Sequence, residues 1–220
     1  MTDLVQTLTD VPDRAAPIVV VELFEAKVPL SALARGAMAQ SDNGLGMAIP
    51  TEEAWEAADF LYCRLEDADG VEGWGEAYVW LPETGVSQRE MALAIRDHLG
   101  KYVLGARPTD VQALAARMDR NVARNEVAKG VVDLACHDLA ARQVGRPVHD
   151  LIGGAVVDRI PLCGLLPLLD PETTAELAAG YQRGGYRSVR IKLGTSPTAD
   201  RDVIAAVRAR CGDDLRIRVD

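Results

Sequence analysis

Long apolar runs, a surplus of basic charge and paired cysteines are all missing from this sequence, and each absence closes a class of function. No run reaches the roughly 18 apolar residues of a membrane-spanning helix. The first residues lack the basic patch followed by an apolar block that export requires, so neither a signal peptide nor a membrane partner is expected. The net charge of -9 over 220 residues argues against nucleic acid as a partner, which calls for a basic face. The four cysteines, Cys63, Cys136, Cys163 and Cys211, lie far apart and form no Cys-x-x-Cys pair. They read as reduced thiols of a cytoplasmic protein, without a structural zinc. What remains, at 48% hydrophobic and 26% charged residues, is ordinary globular material with a sizeable core.

Residues 1–16 are polar and without period, and are expected to be disordered. Ile18 to Lys27 is rich in β-branched residues and predicts a strand. The stretch from Pro29 to Pro50 carries Gly36, Gly44 and Gly46 with few large apolar residues, which predicts a long loop. It reads either as a plain surface loop or as a lid that sets specificity. Ala57 to Glu66 and Val71 to Tyr78 predict two strands joined by the tight turn Asp67-Ala68-Asp69-Gly70. Gly73 and Gly75 inside that hairpin suggest a bulge or a close backbone approach.

Helices are predicted next. One runs from Ser87 to Leu99, opening on a capping box with Glu90. A second covers Thr109 to Val122. The longest spans Asn125 to Val144, with Ala128, Val131, Val132, Ala135, Leu139 and Arg142 near one face. Sheet first and helices after predicts an α+β domain over 17–154. Beyond Gly153-Gly154 the pattern changes. Strands at Arg159–Leu168, Ser188–Leu193 and Leu215–Asp220 alternate with helices from Asp170-Pro171 to Arg183 and from Thr198 to Arg210. A β-α-β-α-β series predicts a parallel sheet or barrel over 155–220. An eight-stranded barrel needs about 250 residues, so the expectation is that this chain is part of a longer protein.

The chemistry-bearing residues sit on the last two strands. Val189, Ile191 and Leu193 share one face and Arg190 and Lys192 the other. Likewise Leu215, Ile217 and Val219 oppose Arg216, Arg218 and Asp220. Side by side, the two charged faces would bring cations and a carboxylate to adjacent strand ends, where α/β barrels place their chemistry. Arg190 beside Lys192 disfavours the ammonium form and favours a lysine that can act as a base toward a carbon acid. Asp220 could give one oxygen ligand to a divalent metal such as Mg²⁺. The plainer reading is a solvated strand face ending in a turn-forming Asp. His137-Asp138 could be a catalytic pair or simply one helix face, and Gly153-Gly154 a phosphate cradle or, more in keeping with its context, a turn.

Four segments, in order, carry a resemblance: Gly73-Trp74-Gly75-Glu76-Ala77; Ala128 through Ala140; Gly145 through Gly154; and Arg190-Ile191-Lys192-Leu193-Gly194 followed by Arg218-Val219-Asp220. The chain resembles the mandelate racemase and muconate-lactonizing branch of the enolase superfamily. That resemblance implies an α+β capping domain followed by the start of a (β/α)₇β TIM-like barrel, incomplete in this chain. It implies a Mg²⁺-dependent racemase, epimerase, cycloisomerase or acid-sugar dehydratase that removes the proton α to a carboxylate, giving a metal-stabilised enolate of a small-molecule substrate. Lys192 matches the second lysine of the family's Lys-x-Lys pair, Asp220 the first acidic metal ligand, and Pro29–Pro50 the capping loop, with Gly44, Leu45 and Met47 as its substrate-binding residues. Arg190 departs from the pattern, standing where many members have lysine. It cannot serve as a base, but it still supplies positive charge. The remaining metal ligands and any second base would lie beyond Asp220, so the 220-residue chain alone is expected to be inactive. A symmetric homo-oligomer is the expected assembly. The alternative is a non-catalytic enolase-like fold used for binding or assembly.

Overall fold

The computed structural model describes residues 15–31 and 56–220. They divide into two compact units, one containing 15–28 and Ala57–Val156, the other containing Val157–Asp220.

The first unit opens with a three-stranded sheet in the order β1 (Ile18–Pro29), β2 (Ala57–Asp67), β3 (Glu72–Val79). β2 and β3 run antiparallel in unbroken register from Asp59 opposite Val79 to Glu66 opposite Glu72. Strict alternation decides the faces of β3. Gly73, Gly75, Ala77 and Val79 are buried, and Glu72, Trp74, Glu76 and Tyr78 are exposed. Asp67 builds the turn that joins the two strands. Its buried carboxylate accepts the N–H groups of Asp69 (2.9 Å) and Val71 (2.8 Å), and Gly70 takes the left-handed φ of 81° that closes it. On the outer face Arg64 donates to Glu22, Glu66 and Glu72 at 2.6–2.7 Å, tying all three strands together.

Helices cover the other face. After a short α1 (Leu81–Thr84), α2 (Gln88–Ala94) starts at Ser87, whose hydroxyl accepts the Glu90 N–H while Glu90 accepts the Ser87 N–H. This is the capping box that the sequence pattern predicts. A π-helical turn, Ile95–Leu99, then leads into α3 (Gly100–Val103). α4 (Val111–Asn121), α5 (Glu126–Gln143) and α6 (Val148–Leu151) complete the unit. α5 buries Ala128, Val131, Val132, Ala135 and Leu139 as expected, together with Cys136, Ala140 and Ala141. Arg142 does not join that face; it is exposed and donates to Asp138.

Of the two readings offered for Gly73 and Gly75, the unbroken register rules out the bulge. The close approach is what the structure has. A Cβ on Gly75 would press into the Val131 carbonyl and come within 2.9 Å of the Ala135 nitrogen, and one on Gly73 would lie 2.6 Å from the Ala135 carbonyl. The glycines let α5 lie directly on β3, backbone against backbone. Burial pushes the Cys63 and Cys136 thiols, both in this core, up to about 12, so neither is a nucleophile at neutral pH.

The second unit alternates β4 (Gly164–Leu166), α7 (Pro171–Arg183), β5 (Ser188–Ile191), α8 (Pro197–Cys211) and β6 (Arg216–Val219). The three strands pair in parallel, in chain order. Asp170 caps α7 by accepting the Thr173 N–H (2.9 Å), and Ser196 caps α8 by accepting that of Ala199 (3.2 Å). Leu166, Val189, Ile191 and Leu215 pack against Ala175, Ala178, Ala179, Val203 and Val207 of the two helices. Each large side chain so buried contributes about 1.5–3 kcal/mol. One expectation needs correction. The strand predicted over Arg159–Leu168 is ordered as a strand only at Gly164–Leu166, because among the described residues β4 has a single partner and their shared register is three residues long. Val219 stands opposite Ile191 and Ile217 opposite Val189, the shared face that the alternation predicts.

Gly75→Ala should lower stability by about 1–3 kcal/mol or more, since the clash is with helix backbone that cannot yield locally. Gly130→Ala, in α5 with nothing within 4 Å of its missing Cβ, should raise stability by about 0.5–1 kcal/mol. Urea unfolding of the two variants against wild type measures both, and a neutral Gly75→Ala would contradict the packing described.

Candidate active site

Parallel register places the candidate residues. Ser188, Val189, Arg190 and Ile191 stand opposite Arg216, Ile217, Arg218 and Val219. The ladder continues past both strands. The Asp220 N–H donates to the Ile191 carbonyl (3.1 Å), and the Leu193 N–H donates to the Asp220 carbonyl (2.9 Å). Lys192 is therefore the lateral neighbour of Asp220 on the face away from α7 and α8. Both Lys192 and Arg190 reach the Asp220 carboxylate. Arg190 Nε donates to Oδ2 at 3.0 Å, while Arg190 Nη2 and Lys192 Nζ donate to the same oxygen. The Lys192 side chain is 14% exposed, against 40% for Asp220, so the amine is sheltered while the carboxylate stays open.

The hydrogen bond from Lys192, and next that from Arg190, hold the Asp220 carboxyl at about 2, well below the ordinary carboxylate range. The expectation that Lys192, Arg190 and Asp220 meet is thus met in geometry. One element differs from the sequence argument: the positive charge of Arg190 does not face Lys192 alone, because the carboxylate sits between the two cations. Among the described residues the same face carries Arg190, Lys192, Arg216 and Arg218 beside the carboxylate of Asp220, a local surplus of positive charge.

Leu165 belongs to this face and was not singled out from the sequence. It stands opposite Arg190 and is 48% exposed. Gly164-Leu165-Leu166 has no polar alternation, so nothing in the sequence says which side chain points away from the helices. The structure shows it through Gly164, whose missing Cβ would meet the Tyr181 ring at 2.6 Å. Gly44, Leu45 and Met47, like the capping loop beyond Ser31, lie outside the described residues.

The other candidates do not form sites. His137 does not pair with Asp138. Its Nδ1 lies 2.9 Å from the Asp133 carbonyl and 3.3 Å from the Asp133 carboxylate. Asp138 accepts from Arg142 Nε and the Trp74 N–H, both at 2.8 Å, and so fastens α5 to β3. Gly153 and Gly154 have φ of 117° and 94° and form a turn closed by Gly154 N–H to the His149 carbonyl (2.7 Å).

A carboxylate oxygen is the donor that Mg²⁺ prefers, and among the described residues the hydrogen bonds and ion pairs of the Asp220 carboxylate with Arg190 and Lys192 all end on Oδ2. Oδ1 fits as one ligand of such an ion. Among the described residues no group of three or more His, Cys, Asp or Glu could complete the shell.

Residues 40–153 match the family described as mandelate racemase / muconate lactonizing enzyme, N-terminal domain. N-succinyl-L-Arg/Lys racemase of Bacillus cereus is 33% identical over 160 residues, 73% of this chain and 43% of that protein. A crystal structure of N-succinyl Arg/Lys racemase from Bacillus cereus superposes with a TM-score of 0.77 at 27% identity, covering 93% of this chain and 52% of the other. Chloromuconate cycloisomerase of Pseudomonas putida is 35% identical over 128 residues, 57% of this chain and 35% of that protein. A dipeptide epimerase from Enterococcus faecalis, complexed with Mg and the dipeptide L-Leu-L-Tyr, shares the fold with a TM-score of 0.78 at 24% identity, over 93% of this chain and 53% of the other. The chain thus spans about half the length of the relatives it matches. The first unit is the capping domain of this architecture, and β4 to β6 with their helices are the start of its barrel.

Because the Asp220 carboxyl is depressed in the folded chain, the stability it contributes is present above the ordinary carboxylate range and is lost as pH falls through about 2. A ¹³C-detected NMR titration of the side-chain carboxyl should find a midpoint near that value. In Lys192→Met the midpoint should rise toward the ordinary one, and an unmoved midpoint would remove the Lys192 contact as its cause.

Proposed function

The chain belongs to the mandelate racemase / muconate lactonizing enzyme family, and from that premise we propose that the protein is a Mg²⁺-dependent enzyme removing the proton α to a carboxylate of a small substrate. The observation that carries this reading is the convergence of Lys192 and Asp220 on one open, cationic sheet face. Lys192 is the base. Its amine lies just past the end of β5, paired with the Asp220 carboxylate, and in its neutral form it would take a proton from carbon.

Arg190 is always charged and acts as a fixed cation. It offsets negative charge that develops on the substrate as the proton leaves, without competing for that proton. Arg218, opposite Arg190, adds to the field that draws a carboxylate to this face. Asp220 would give one ligand to Mg²⁺, and the ion, when bound, would supply positive charge beside the substrate carboxylate oxygens. Gly44, Leu45 and Met47 are proposed as substrate contacts from the capping loop. The finer reaction class lies among racemisation, epimerisation, cycloisomerisation and dehydration, all of which can begin with this proton transfer. A homo-oligomer in the cytoplasm is the assembly and place we assign.

The alternative of a non-catalytic fold kept for binding or assembly is not favoured, since the named relatives are racemases, epimerases and cycloisomerases. Lys192→Met in the full-length protein should cut α-proton exchange into substrate carboxylates in heavy water by about 10²–10⁴-fold. Circular dichroism should show the fold retained. Exchange at the wild-type rate on the same face of the substrate would remove Lys192 as the base.

A further inference from the structure

Three donors approach the Asp220 carboxylate, and all three choose the same oxygen. Arg190 brings Nε at 3.0 Å and Nη2, and Lys192 brings Nζ, to Oδ2. We infer that Arg190 is a positioning residue for the metal-ligating carboxylate: with Lys192 it holds Oδ2 and leaves Oδ1 for a divalent cation. This rests on the reading of Asp220 as a Mg²⁺ ligand.

The main chain of Asp220 is already fixed on β5, through its own N–H to Ile191 and its carbonyl to Leu193. What stays free is rotation of the side chain about its own bonds. One point-charge donor fixes a distance but leaves the carboxylate plane free to turn about it. Arg190 adds a rigid planar fork, with two N–H groups from one guanidinium on one oxygen. Together with the ammonium of Lys192, that fork selects which oxygen is anchored and which is presented. A lysine at 190 could bring only a flexible ammonium. Arginine at this position, a departure from the pattern that the resemblance implies, therefore has a geometric use that needs no proton transfer.

Two opposed effects follow from placing a cation there. Its charge repels a metal ion, and its hydrogen bonds orient the ligand. At 38% exposure the Arg190 charge is partly screened by solvent, while short-range hydrogen bonding is not. Orientation therefore wins, and the sign of the change on removing Arg190 tells the two apart.

The test is Mg²⁺ titration of the full-length protein by calorimetry, repeated with Mn²⁺ by electron paramagnetic resonance. Arg190→Met should weaken binding of either ion by roughly 10–100-fold, the usual loss when a hydrogen-bond partner of a metal ligand is removed. Arg190→Lys should recover only part of that loss, a pattern that a merely structural role would not give. Melting in EDTA reports the fold of each variant independently of the metal, and Arg190→Gln, which keeps one donor, replaces Arg190→Met if the latter does not fold. Unchanged or tighter binding in the Met or Gln variant, with binding lost in Asp220→Asn, overturns this inference and leaves the metal reading standing. Wild-type affinity in Asp220→Asn overturns the metal reading and this inference with it.

Discussion

Two backbone hydrogen bonds join the end of β6 to the end of β5: Asp220 N–H to Ile191, and Leu193 N–H to Asp220. The site depends on them. A strand exposes alternate side chains on opposite faces, so a slip of one residue would send Asp220 to the helix side while Lys192 stayed where it is. Register is held from the other face. Val189, Ile191 and Leu215 are fully buried against α7 and α8, and a slip would bring Arg190 or Arg216 into that apolar layer at a cost of several kcal/mol. Packing on one side of the sheet thus decides the chemistry on the other.

Much of this was legible in the sequence. Alternation of apolar and charged residues in Val189–Leu193 and Leu215–Asp220 states which residues share a face. Ser87 with Glu90 announces a helix start, and Asp67 to Gly70 a hairpin. In each case the signal is local and the chain's own geometry carries it out. The contact between Lys192 and Asp220 is a different matter, because 28 positions separate them and only the pairing register brings them together. The sequence could propose that they are neighbours but could not choose the oxygen they share.

Where the sequence left a reading open or misplaced a residue, a partner decides. Gly73 and Gly75 fit a bulge or a close approach equally well, and the deciding partner, the backbone of α5 at Val131 and Ala135, lies some 60 residues away. The apolar residues of Arg159–Leu168 have strand composition, yet strand structure needs a partner for hydrogen bonds, and β5 meets only three of them. Arg142 follows helical spacing into the core face, but its charge turns it out to Asp138. For the glycines and the short strand the sequence holds the local preference and a remote neighbour decides the outcome, while for Arg142 the deciding partner is one turn away on the same helix.

The charge on the open face follows the same logic in energetic terms. Arg190 stands directly opposite Arg218, and like charges across a strand pair destabilise a sheet. Among the described residues, Arg190 and Lys192 are the two of the four cations on this face that reach the Asp220 carboxylate. The face is left with a surplus of positive charge, and the apolar layer on the other side of the sheet is what holds Arg190 and Arg218 side by side against their repulsion.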